Sequence, residues 1–525
     1  MKRYKLNALF LATSVMLAPA VFANPSTYTH ANGSTIVNIN DANASGLSHN
    51  MWTDFNVSSK GMVLNNSLND LVRESGDIAK NRNLSAPAKV ILNEVISNKA
   101  SQLKGALEVA GQSAEVIIAN PNGITCSGCS FINASRATLT TGTPVFTDGA
   151  LSSFKVQKGT VTIKGLVNAQ SYTDILAETI KINGQLETGT LKAIAGKFSY
   201  DPTTGKTVAD GSSSRNVGID ISALGGVTAG VIQLQTTKAG SGVNNNGILS
   251  ADAIQISSNG VLNNQGKLAA KTLVASTVNK LSNSGSLEGT TIQLVSANEL
   301  ENSGTIRASS ALATSIGQIT NKGTITGSSL NQLVSYAGDI TNSGTIESDG
   351  TVYLMSGYAP YSGNAYSPYA NTSINNTKSG VISGTNGVNL TAVKAINLSS
   401  GSVSSAQGQA YFGASKVDNR TAVDAKNLTV YANEFVNSGT MTATGQLTAT
   451  GNNSITNTGM LKGDTLTLNT KGKLNTQSCK LWVLCQSGTL SAGSTLQINA
   501  SSVGSINNIG GTVHAPVLEL NKTSI

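Results

Sequence analysis

Apolar and polar positions alternate in a fixed frame over the carboxyl-terminal half of the chain. Glycines recur at Gly247, Gly266, Gly285, Gly304, Gly323 and Gly344, spaced by 19, 19, 19, 19 and 21 residues. Two residues before each stands an asparagine: Asn245, Asn264, Asn283, Asn302, Asn321 and Asn342. One aliphatic column lies two residues after the glycines, from Leu249 through Leu268, Leu287, Ile306 and Ile325 to Ile346. A second lies four before them, from Val243 through Leu262, Leu281, Leu300 and Ile319 to Ile340. Between the columns, runs such as Ala253-Ile254-Gln255-Ile256 and Thr291-Ile292-Gln293-Leu294 have a period of two and predict strands.

A unit of 19 residues holds about three strands of four or five residues with their turns, which is one rung of a β-helix. Rungs rise about 4.8 Å each, so like side chains stack in a continuous core and every strand pairs above and below. The asparagines are expected to ladder their amides at one corner, and the glycines to supply a positive φ there. A leucine-rich repeat is the alternative, but helix-bearing segments and dense leucine spacing are missing. The pattern returns at Asn437, Gly439 and Met441, and at Asn457, Gly459 and Leu461. Between the blocks, residues 353–369 hold Tyr353, Tyr358, Tyr361, Tyr366 and Tyr369 with Pro360 and Pro368, and read as an insertion outside the rungs. These tyrosines form a candidate binding loop for sugar rings or a protein, having an apolar face and a polar tip; the plainer reading is that they cover a break in the helix.

Composition agrees with a solenoid. Of 525 residues only 12% are charged and 4% aromatic, with 54 glycines. The 39% apolar content argues against disorder, and nine prolines without a three-residue glycine period exclude collagen. The amino terminus, Met1-Lys2-Arg3-Tyr4-Lys5 followed by apolar Leu9 to Ala20, is a secretory signal with cleavage expected after Ala23. A net charge of +8 is thinly spread, and no basic cluster with interleaved aromatics marks nucleic-acid binding. No later apolar run reaches the ~18 residues of a membrane helix. A stack of about 25 rungs would form a rod of about 120 Å, whose first residues are expected to cap its open strand edges.

Cys126 with Cys129, and Cys479 with Cys485, are close pairs in an exported chain, so two local disulfides are the default reading. A redox motif or half a zinc site is the sharper reading of the first pair, weakened by flanking strand patterns and by a supply of only three histidines, His30, His49 and His514. β-Helices also serve as polysaccharide-cleaving enzymes. Here Asp339, Glu347 and Asp349 do not recur at rung spacing, and no P-loop, zinc-protease motif or nucleophile elbow is present. No catalytic residue, metal or cofactor is expected.

Residues 46–142 carry more particular motifs: Gly46-Leu47-Ser48-His49-Asn50, Gly61-Met62-Val63-Leu64-Asn65-Asn66-Ser67, Ile91-Leu92-Asn93-Glu94-Val95, and Ala119-Asn120-Pro121-Asn122-Gly123-Ile124. Together with Ile219-Asp220-Ile221 further on, this segment resembles the secretion domain of two-partner secretion exoproteins, the group of filamentous haemagglutinins, large haemolysins and contact-dependent growth inhibition proteins. The 19-residue units resemble the haemagglutinin repeats that follow it. The resemblance implies a right-handed parallel β-helix of about 19–20 residues per rung, with an amino-terminal cap. It implies a signal peptide at 1–23, a secretion (haemagglutination activity) domain at 24–245 and a repeat β-helix at 246–525. It further implies export by the general secretory machinery, then passage through an outer-membrane β-barrel transporter whose periplasmic domains recognise the amino-terminal domain. The family's two Asn-Pro-Asn motifs correspond here to Asn81, Asn83 and Leu84, with Arg82 in place of proline, and to Asn120, Pro121, Asn122, Gly123 and Ile124. Cys126 and Cys129 then read as a turn-locking disulfide.

The expected protein is a secreted or surface-exposed adhesin of a Gram-negative bacterium, with a host or neighbouring-cell receptor or glycan as its target and no nucleic-acid partner. A truncated growth-inhibition stick without its toxin, or a haemolysin-type cytolysin, are the alternatives.

Overall fold

The protein is described by a computed structural model over residues 24–362, 365–480, 484–501 and 506–522. The leader and Ala23 lie outside the described residues. Forty-five strands join in one sheet that coils on itself, and consecutive turns of the coil pair in parallel. The architecture is an all-β solenoid. Ser26–Thr29 is the exception within this sheet: it pairs antiparallel with Thr35–Asn38, which in turn pairs parallel with Met62–Asn66.

The aliphatic column after the glycines is a stack of Cα partners from Leu249 through Leu268, Leu287, Ile306, Ile325 and Ile346. It continues through Ile382, Val403, Val423, Met441, Leu461 and Leu490 to Val513. Towards the amino terminus the same column passes Val227, Leu186 and Leu166 and reaches Cys129. One uninterrupted apolar core thus runs through both halves of the chain, and its continuity drives the coiling, since each rung buries its inward face only against its neighbours.

The repeat glycines act differently from the expectation of positive φ. None of Gly247, Gly266, Gly285, Gly304, Gly323 and Gly344 has one. A Cβ added to Gly304 would lie 2.1 Å from the carbonyl oxygen of Gly285 in the rung below, and the other five meet the same obstacle. The corner is too tightly stacked for any side chain, so it is backbone approach and not backbone conformation that selects glycine.

Among the described residues, three strand-forming excursions leave the coil. Thr143–Thr147, Ala150–Val156, Phe198–Tyr200 and Thr207–Ala209 form an antiparallel four-stranded sheet laid on the outside of the amino-terminal rungs. Its Phe154, Val156, Phe198 and Tyr200 bury Leu92, Ile117, Leu176 and Ile194 in a second core. Tyr358–Ser362 and Ala365–Pro368 form a hairpin, as do Gln477–Lys480 and Leu484–Ser487. The tyrosine-rich segment is therefore only partly outside the rungs. Tyr353 belongs to the rung strand Thr351–Ser356, paired with Gln332 below and Asn389 above, because its alternating neighbours Val352 and Leu354 are core residues.

Candidate functional site

Two Asn-x-Asn turns mark the amino-terminal region. Asn120 is buried; its Oδ1 accepts from the Asn122 backbone N–H at 3.0 Å, while its Nδ2 donates to the Lys99 carbonyl and Ser101 Oγ, both at 2.9 Å. Gly123, at φ 110°, closes the turn by donating its N–H to the Asn120 carbonyl at 3.0 Å, and Ile124 re-enters the core. Asn81 repeats this chemistry. Its Oδ1 accepts from the Asn83 N–H at 3.0 Å, its Nδ2 donates to the Ile39 and Asn65 carbonyls at 2.9 Å, and Leu84 enters the core. The asparagine side chain mimics a backbone turn, so Arg82 occupies the proline position without loss of the turn. Pro121 and Asn122 are half-buried, whereas Arg82 and Asn83 are exposed.

Cys126 and Cys129 are joined by a disulfide with Cα atoms 5.4 Å apart, around Gly128 at φ 77°. Both lie in the core. Cys485 is disulfide-bonded as well, and the hairpin register sets Cys479 opposite it. His49 Nε2 and Glu94 Oε2 lie 2.7 Å apart in a half-buried hydrogen bond. No group of three or more His, Cys, Asp or Glu side chains is arranged to hold a metal among the described residues, and no helix there is long and apolar enough to cross a membrane.

The asparagine corner forms a hydrogen-bonded file. Nδ2 of Asn245 donates to Oδ1 of Asn264 at 2.7 Å, and the relay passes through Asn283, Asn302 and Asn321 to Asn342 at 2.7 to 2.9 Å per step. It extends to Asn376, and a separate file joins Asn419, Asn437 and Asn457. Leu398, the Cα partner of both Asn376 and Asn419, divides the two. A second buried polar column had no counterpart in the sequence reading: Ser258, Thr277, Ser296, Ser315, Ser335 and Ser356 stack at another corner. Ser335 and Ser356, for example, donate to the Gly317 and Gly338 carbonyls at 2.7 and 3.0 Å. Its signal was a hydroxyl residue recurring at intervals of 19, 19, 19, 20 and 21 residues.

Under the four-stranded sheet, charged residues stand among the apolar outward positions. Glu115, Arg136, Asp174 and Lys192 follow one another on adjacent rungs, with Arg136 Nη1 3.6 Å from Asp174 Oδ2. Burial pushes Asp174 and Glu115 above the ordinary carboxylate range, against the pull of Arg136. Tyr200 is pushed up to about 12, mainly by burial, and its ring lies 5.7 Å beneath Lys192 Nζ.

Among the tyrosines, Tyr366 approaches Tyr336 and Tyr353, and Tyr358 approaches Tyr411; burial first and these neighbours second raise the phenols of Tyr336, Tyr353 and Tyr358. The hairpin thus folds back on the solenoid face, where the outward-pointing Val334 and Met355 are buried. Tyr369 is exposed, and the side chain of Tyr361 lies outside the described residues. Tyr336 and Tyr411 are distant from the insertion in sequence and were not legible as its partners.

Residues 18–269 match the family described as TPS secretion domain. The chain is 39% identical over 248 residues to "Toxin CdiA" of Yersinia pestis, covering 45% of this chain and 8% of that protein. It is 40% identical over 241 residues to "Filamentous hemagglutinin" of Bordetella pertussis, covering 43% and 7%. The solved filamentous hemagglutinin secretion domain is 35% identical and covers 52% of this chain and 95% of that one, with a TM-score of 0.43. The chain therefore spans under a tenth of the length of these two full-length relatives. Through its amino-terminal region this chain belongs to the two-partner secretion exoproteins, related to the filamentous haemagglutinin and CdiA proteins.

Proposed function

We propose that this chain is an exported rod-shaped adhesin, delivered through the periplasm by a dedicated outer-membrane β-barrel transporter to the outside of a Gram-negative cell. The observation that carries the reading is the TPS secretion domain match at residues 18–269, continued by the same sheet into the repeats without a break. In this reading the coil is right-handed, the antiparallel strand Ser26–Thr29 acts as the cap, residues 24–245 form the secretion unit and 246–525 the projecting rod. A truncated growth-inhibition stick without its toxin is second, since the chain is 39% identical over 248 residues to a CdiA protein.

The turns at 81–84 and 120–124 act by shaping the domain; the transporter recognises strand edges of the still-unfolded chain by β-augmentation. Folding outside the cell then prevents backsliding. The test co-expresses the chain with its transporter and deletes each turn separately. Secretion of both deletion forms, with loss of refolding in vitro, is the expected result; secretion lost while refolding survives makes the turns a direct recognition signal instead. Binding of the purified mature chain to red cells or epithelial cells tests adhesion, and lysis would make it a cytolysin.

A further inference from the structure

One face of the repeat region is free of charge. The rung strands from Val231–Thr236 onward present two outward columns. One runs from Gln233 to Gln497 and the other from Gln235 to Asn499, each position a Cα partner of the next. Every residue in both columns is uncharged, in a chain that carries 62 Lys, Arg, Asp and Glu side chains by its own count of 35 basic and 27 acidic. The charges of the repeats lie elsewhere, in ion pairs such as Lys280 with Glu301 at 2.5 Å and Lys416 with Glu434 at 2.7 Å. Neither solubility nor core packing requires such segregation, since surface charges of a soluble protein normally intersperse.

Before the tyrosine hairpin Val274, Val295 and Leu312 interrupt the polar positions, but beyond it the face is also chemically of one kind. On the carboxyl side of the tyrosine hairpin it presents Tyr411, Thr429, Tyr431, Thr448, Thr450 and Asn469. Inter-rung bonds fix several of these groups: Asn469 Nδ2 donates to Thr450 Oγ1 at 3.3 Å, and Asn499 Nδ2 to Asn469 Oδ1 at 2.7 Å. The Tyr411 ring lies over Gly413, where a Cβ would come within 2.8 Å of the phenol oxygen, and Tyr431 beside it is exposed. Hydroxyls, amides and aromatic faces, held rigid and free of charge, suit a neutral polyhydroxylated ligand. Hydroxyl groups meet donors and acceptors, and the apolar faces of sugar rings meet tyrosine. The period fits as well, for the rise of about 4.8 Å per rung is close to the length of one sugar residue in an extended polysaccharide. A second copy of the chain is the competing occupant, but the Tyr358–Pro368 hairpin lies on the middle of the face, over Val334 and Met355, and interrupts flush sheet-on-sheet packing.

We propose that this face binds an extended, uncharged polysaccharide laid along the solenoid axis, centred on Tyr411, Tyr431 and the threonines above them. The inference rests on the adhesin reading and supplies its ligand class. The test uses the full mature chain on a printed array of neutral oligosaccharides (glucans, galactans and mannans) and anionic ones (heparin and hyaluronan fragments), with sedimentation velocity in parallel. The variants are Thr448→Lys, which puts a charge at the centre of the face, and the double change Tyr411→Ser with Tyr431→Ser. Circular dichroism and protease resistance equal to the parent show that they fold. Retention of at least one neutral glycan, weakened tenfold or more by both variants, is the expected result. Three results would overturn the proposal: no neutral glycan retained, neutral binding unchanged by either variant, or self-association of the parent that Thr448→Lys abolishes. Cell adhesion that persists unchanged in both variants would sink the face while leaving the adhesin standing.

Discussion

The same two outward columns of the solenoid pass through two regions and change character between them. In the amino-terminal rungs they hold Asp174 with Leu176, then Lys192 with Ile194, and lie beneath the four-stranded sheet. One rung later Gln233 and Gln235 take their places, and no charge follows until Glu519. A covered face can hold apolar side chains and buried ion pairs because a second sheet excludes water from them. An uncovered face cannot bury apolar groups, and the column does so only at Val334 and Met355, where the tyrosine hairpin lies over it; along its whole length it lacks charge also. Burial, therefore, and not the coil itself, decides what each stretch of one column can contain.

The largest effect is expected from the repeat corner, where Gly304→Ala drives a Cβ to 2.1 Å from a backbone oxygen. A loss of about 3 kcal/mol, at the upper end for overpacking, should appear in urea unfolding of the repeats. Near-parental stability there would mean that the corners open freely and that the glycines are not selected by close approach. Next in size is Asn302→Ala, which strips partners from Asn283 Nδ2 and Asn321 Oδ1 in a buried file. About 2 kcal/mol is expected for the unsatisfied groups. The reciprocal change, Leu398→Asn, would join the two files and should cost far less than Asn302→Ala; an equal cost would show that the amides contribute nothing as a file.

The smallest effect lies under the four-stranded sheet. Glu115 and Asp174 have folded-state pKa values raised by burial, so the native state binds their protons more tightly than the unfolded chain does. Their contribution to stability is greatest below the ordinary values of 4.5 and 3.8 and declines as pH rises through the raised ones. Glu115→Gln should then leave the Tm at pH 4 nearly unchanged and raise it slightly at pH 7. A Tm lowered at pH 7 would show that attraction to Arg136 outweighs burial.

Much of this molecule is written in its sequence at one period. The columns from Leu249 to Ile346 and from Asn245 to Asn342 were legible because stacking places equivalent residues of successive rungs on one another, so spatial neighbours recur at a constant interval. The turn at Asn120 was legible from its own residues and that at Asn81 from the family's motif, because the bonds that close them, to the Asn122 and Asn83 N–H groups, are local; the bonds of their amides to Lys99 and Ile39 were not. Contacts without a fixed interval were not. The sheet built from Thr143–Thr147 and Phe198–Tyr200 joins strands tens of residues apart, and Tyr411 meets Tyr358 only because two rungs bring them together. The glycines carry the same lesson: their positions were set by sequence, but their reason, a carbonyl one rung away, exists only once the chain has coiled. Local propensity and period thus determined that the chain winds. Which parts of the wound surface are covered, charged or left bare was decided by tertiary packing, because exclusion of water depends on what lies across the surface and not on what lies next in the chain.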